Sequence, residues 1–131
     1  MEIKLTPQES ESYFYNALCN GIDYVSGYGL EFNYKSEDYQ KAKKVWAKAN
    51  PDSSPCREDI WLQILRNGGE LTLIDHECEG EYTKSINIKH VHERVQLTEV
   101  QHLLDMRNEN DDATTADCIL QTCFYEEIIF G

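Results

Sequence analysis

The stretch LIDHECEGEYTKSINIKHVHERV sets His76 two residues before Cys78 and His90 two residues before His92. Imidazole nitrogen and thiolate sulfur are zinc ligands, and residues two apart on a strand share a face, so each pair is a candidate half-site. Cys78 with His76 is also the one local pair of types that a thiol nucleophile and its base require. The spacing works against a four-ligand site. A hairpin turning at Glu79 and Gly80 sets His76 across from Thr83 and Cys78 across from Glu81, and places His90 roughly 23 Å along the strand from His76. If residues 88–95 are helical instead, His90 and His92 point about 200° apart around the axis.

The stretch NENDDATTAD invites a calcium loop, with Asn108, Asn110 and Asp112 in the first, third and fifth ligand positions. The template then fails, because Ala113 stands where the turn glycine belongs and Ile119 where the bidentate glutamate belongs. Asp111, Asp112 and Asp117 are better explained as carboxylates around a helix N-terminus. The chain carries no GxSxG, no phosphate-cradling glycine loop and no HExxH, so no cofactor is expected.

The elements that must position these residues are legible from periodicity. Thr6, Pro7 and Glu9 have the spacing of an N-cap, a first-turn proline and a capping-box acid. Phe14, Ala17, Leu18, Ile22 and Val25 then form one helical stripe, outside which Tyr13, Tyr15 and Tyr24 fall. YGLEFNY alternates, which predicts a strand with Tyr28, Leu30, Phe32 and Tyr34 on one face. Ser36 is the expected cap of a second helix with Tyr39, Ala42, Trp46 and Ala49 inward. Ser54 and Pro55 are the expected start of a third, which buries Ile60, Trp61, Ile64 and Leu65.

After Gly68 and Gly69 a hairpin near residues 70–88 is expected to pair Leu71 with Ile88, Leu73 with Ile86, Asp75 with Lys84 and Glu77 with Tyr82. Residues from Asn87 onward fit a short capped helix, and Leu97, Val100, Leu103 and Leu104 a further helical segment. A last helix, capped by Thr114 or Asp117, is expected to hold Ile119, Leu120, Cys123, Phe124 and Ile128. The fold class that follows is α+β, with four or more helices against a small antiparallel sheet in a single domain over residues 1–131.

The net charge of -12 is unevenly spread. Residues 67–131 hold fourteen acids against four bases, while residues 35–66 hold seven bases against five acids. Such a surface disfavours direct binding to nucleic acid or anionic lipid, both of which require phosphate neutralisation. The five cysteines lack disulfide-framework spacing and the N-terminus lacks a signal pattern, which together predict a cytoplasmic protein with free thiols. No stretch reaches the roughly 20 apolar residues of a membrane helix.

EDIWLQILRNGGELTLID and DDATTADCILQTCFYEEIIFG resemble small proteins carried by bacterial phages and mobile elements. The resemblance covers about the C-terminal half and implies no functional residue. The functional expectation is a noncatalytic interaction or regulatory protein whose acidic surface engages a basic protein partner, for instance by occupying a nucleic-acid-binding groove as a decoy. Two alternatives stand beside it. One is a metal-dependent protein or enzyme using His76, Cys78 and nearby carboxylates, with His90 and His92 as the remaining ligand candidates. The other is an assembly subunit, since Tyr125, Ile129 and Phe130 widen the apolar surface of the last helix beyond one packed face and nominate it as an oligomer interface.

Overall fold

The computed structural model describes residues 2–131. It is an α+β fold of six α-helices, a short 3-10 turn and a three-stranded antiparallel sheet. Helix α1 (Pro7–Gly27) starts where the capping box indicates. Thr6 Oγ1 accepts the Glu9 amide at 3.1 Å and Glu9 Oε1 accepts the Thr6 amide at 3.0 Å. Phe14, Ala17, Leu18 and Val25 are buried along one stripe, which Tyr13, expected outside it, joins as a buried side chain. Gly21 lies where α1 meets the last helix. A Cβ there would stand 2.8 Å from Leu120 Cδ1 and 3.2 Å from Ala116 Cβ, so the missing side chain is what lets the two helices close up.

Strand β1 (Leu30–Asn33) follows, then α2 (Ser36–Ala49) and α3 (Arg57–Arg66). The caps of these two helices differ from expectation. Lys35 rather than Ser36 is the N-cap of α2. In α3, Cys56 replaces Ser54, because the Asp59 carboxylate accepts the Cys56 amide at 3.0 Å and fixes the first turn two residues later.

Strands β2 (Leu71–Asp75) and β3 (Lys84–Ile86) complete the sheet in the order β1-β2-β3. The hairpin exists, but its register differs: Leu71 pairs with Ile86 and Leu73 with Lys84, a slip of two residues from the expected pairing. A slip of two keeps every side chain on its face, so Leu71, Leu73 and Ile86 are still buried together. Ile88 leaves the sheet and begins α4 (Ile88–Arg94), and Glu77 and Tyr82 lie in a loop rather than across a ladder. On the other edge, Phe32 pairs with Leu73 and Leu30 with Asp75.

A 3-10 turn (Val95–Leu97), α5 (Val100–Arg107) and α6 (Ala113–Tyr125) close the chain. Asp112 caps α6 by accepting the Thr115 amide at 2.9 Å, while Asp117, expected as a cap, is buried within the helix and accepts the Tyr28 hydroxyl at 2.8 Å. The helix also stops sooner than its apolar pattern predicts. Glu126 turns left-handed at φ 63°, so Ile128 lies outside α6 and the last residues fold back. One buried cluster joins α1, α3, α6 and the inner sheet face. Among the described residues no helix is long and apolar enough to cross a membrane.

Candidate functional site

Asp75 ends β2 and organises the loop that follows. Its Oδ1 accepts the amides of Glu77 at 3.0 Å and Cys78 at 2.9 Å, and its Oδ2 accepts the Tyr82 amide at 3.1 Å. These bonds, the one from Cys78 foremost, hold its carboxyl below the usual range. Two further turns, Glu81 N–H to the Cys78 carbonyl and Thr83 N–H to the Gly80 carbonyl, together with positive φ at Glu79 and Gly80, fix the tip. The outcome is a loop whose backbone is tied to the sheet while Glu77, Glu79 and Glu81 are exposed. None of the three forms an ion pair among the described residues. The Glu81 carboxylate chiefly pushes the adjacent Tyr82 phenol up, with Glu127 of the C-terminal segment adding to it.

Against one flank of this loop opens a cleft of about 510 Å³ between the end of α1, β1 and the start of α3. Phe32 and Trp61 form its aromatic wall with ring centroids 5.0 Å apart, and Tyr34 lies 6.3 Å from the same indole. The Arg57 guanidinium sits 5.3 Å from the Trp61 ring centroid, a cation–π contact. Glu31, His76 and Glu77 also line the cleft. Gly29, at φ 79°, is required here twice over: its conformation is left-handed, and a Cβ would stand 2.4 Å from Glu77 Cγ, so only glycine lets the Glu77 side chain cross it. Trp61 is 5% exposed and its indole N–H has no partner among the described residues.

A larger, more polar hollow of about 630 Å³ lies over the outer sheet face. There Asn33, Thr72 and Ser85 stand side by side across the three strands, with Lys35 and Lys41 above. Thr72 and Ser85 bond each other at 2.7 Å.

No known protein family, curated protein or solved structure matches the chain. Of the four ligand-type residues singled out in the sequence, His76 and Cys78 share the Asp75 loop. His76 Nε2 lies 3.1 Å from Glu31 Oε1. Desolvation, followed by the carboxylates of Asp75, Glu81 and Glu77, pushes the Cys78 thiol up, the opposite of what an activated thiolate needs.

His90 and His92 are carried away on α4. His90 Nδ1 accepts the Asn87 amide at 3.1 Å and completes the helix cap, while His92 Nε2 lies 2.8 Å from Glu11 Oε2. Among the described residues no group of three or more His, Cys, Asp or Glu side chains is gathered as a metal would require.

The C-terminal candidates are turned toward the chain itself. The Tyr125 hydroxyl donates to the Tyr82 carbonyl at 2.8 Å, the Phe130 ring stacks on Tyr28 at 5.0 Å, and the Ile129 amide donates to Gln121 at 2.8 Å. Ile128 is the large apolar side chain of this segment that is exposed, at 53%. Nothing in the sequence pattern marks the cleft residues Trp61, Arg57 and Glu31 as a site. Their alternation and helical spacing show which face each occupies, but nothing local signals that β1 and α3 leave a gap between them.

Proposed function

We propose that this is a noncatalytic interaction protein that engages a basic segment of a protein partner, with the loop of residues 76–82 as the contact. The observation that carries the reading is the Asp75 carboxylate tying down a loop that presents Glu77, Glu79 and Glu81 unpaired. A charged surface held in place loses less conformational freedom on binding than a flexible one, and clustered charge of one sign raises the encounter rate with an oppositely charged partner. Glu127 of the C-terminal segment extends the same field beside Tyr82. The matching surface on a partner is rich in Lys and Arg, as in a groove built for a phosphate backbone. Five free cysteines suit a reducing compartment such as the cytoplasm.

The test is a titration of isotope-labelled protein with octalysine, read as amide shifts residue by residue. The reading expects the largest shifts between residues 76 and 82, fading as salt is added. Equal shifts at every acidic stretch, including residues 109–112, would overturn it.

A further inference from the structure

Two of the five cysteines meet around one phenol. The Tyr15 hydroxyl of α1 lies 3.5 Å from Cys56 Sγ, and it also bonds the Cys19 thiol, which stands one helical turn further along α1. Both cysteines are exposed. We propose that Cys19 and Cys56 form a redox-sensitive pair, which a peroxide oxidises to a disulfide tying α1 to the start of α3 and a dithiol reductant reopens.

Three observations lead there. First, the two thiols come from different elements yet share one hydroxyl, so a single side chain holds both sulfurs in the same place. Asp59 Oδ2 accepts the Cys56 thiol at 3.2 Å and fixes that sulfur from the other end. Second, a disulfide needs Cα atoms roughly 4.4–6.8 Å apart, and the Cys56 side has the freedom to adjust. Residues 53–56 lie outside any helix or strand. Ser53 N–H to the Asn50 carbonyl and Cys56 N–H to Asp59 are the bonds that tie their backbone. Third, the remaining cysteines lie elsewhere: Cys78 in the Asp75 loop, with Cys118 half-buried and Cys123 buried on α6.

The order of events follows from the surroundings. Burial, then the carboxylates of Glu58 and Asp59, push the Cys19 thiol up, which assigns the first attack to Cys56. The Cys56 sulfur attacks one peroxide oxygen, the O–O bond breaks, and the leaving hydroxide takes up the thiol proton as water. The Cys19 sulfur then attacks the resulting sulfenic acid at sulfur, the S–O bond breaks, and the oxygen leaves as a second water with the Cys19 proton. Two thiols and one peroxide thus give one disulfide and two waters, the sulfurs losing the two electrons that the peroxide gains. In a reducing compartment such a bond is transient, as redox-sensing disulfides are.

The test is hydrogen peroxide treatment of the full-length protein, followed by intact mass and peptide mapping without reductant. The expected product is a monomer lighter by two hydrogen atoms whose linked peptides carry Cys19 and Cys56, restored to the starting mass by dithiothreitol. Cys19→Ser should stop at a Cys56 sulfenic acid that dimedone captures, Cys56→Ser should lose the linked product, and Cys78→Ser should keep it. Linkage through Cys78, Cys118 or Cys123, a disulfide between two chains, or cysteines at 19 and 56 left unlinked would each overturn the proposal. The map of the unsubstituted protein decides this even where a serine variant folds poorly.

Discussion

Gln121 and Phe130 bond each other in both directions: the Phe130 amide donates to Gln121 Oε1 at 2.9 Å, and Gln121 Nε2 donates back to the Phe130 carbonyl at 3.1 Å. The same Nε2 also donates to Asp117 Oδ1 at 3.0 Å, and the same oxygen accepts the Ile129 amide. One buried carboxamide thus ends α6, folds back the last residues and satisfies an interior carboxylate. Gln121→Ala leaves these partners unpaired, and the expected loss is about 2 kcal/mol in urea unfolding. Amide exchange at Ile129 and Phe130 should accelerate together. Unchanged exchange there would mean that the aromatic stacks alone hold the segment.

Gly21 is the close-approach point of α1 and α6. Gly21→Ala gains roughly 0.5–1 kcal/mol of helix propensity but forces a methyl against Ala116 and Leu120, an overpacking that costs roughly 1–3 kcal/mol. A net destabilisation on the order of 1 kcal/mol is expected by chemical denaturation. A more stable variant would show that the two helices part without penalty.

The Asp75 loop should owe its order to the carboxylate. Asp75→Ala removes the acceptor of three amides, so exchange at Glu77, Cys78 and Tyr82 should rise by at least about tenfold while the amides of α1 and α6 keep their protection. Gln or Asn replacement of the exposed Glu79, which forms no ion pair among the described residues, should leave those rates alone.

Acid should weaken the fold in a defined window. Burial raises the Glu11 carboxyl, but the hydrogen bonds from Arg66 at 2.7 Å and His92 at 2.8 Å outweigh it and hold the group below its ordinary 4.5. Asp75 and Asp112 lie below their ordinary 3.8, each chiefly because a backbone amide bonds the charged form, Cys78 in one case and Thr115 in the other. A carboxyl lowered by folding contributes stability that is complete above its ordinary value and is lost as pH falls through the lower folded one. The urea midpoint should therefore stay level from neutral pH to about 5 and drop below about 4. Glu11→Gln should lower the plateau and flatten the drop.

Much of the fold was legible because it rests on local rules. The Thr6 capping box, the alternation through Leu30 and Phe32, and the Leu71, Leu73 and Ile86 face all follow from short-range pattern. What pattern does not carry is competition between a ladder and a side chain. Asp75 captures amides at 77, 78 and 82, which lengthens the hairpin loop and slips the register, and Gln121 does the same to the end of α6. Both are single polar residues acting across several positions, and neither has a periodic signature. The cleft is less legible still, because Phe32, Trp61 and Glu77 lie on three elements that only the tertiary fold brings together.

On the function proposed above, the position of the loop glutamates, and not net charge alone, directs binding. Calorimetric titration of octalysine into two charge-matched variants separates the two. Glu79→Lys/Glu81→Lys reverses the loop, and Glu109→Lys/Asp111→Lys reverses an equal charge elsewhere. The first should abolish measurable binding at physiological ionic strength, and the second should stay within about twofold of the parent. Equal weakening by both would contradict it.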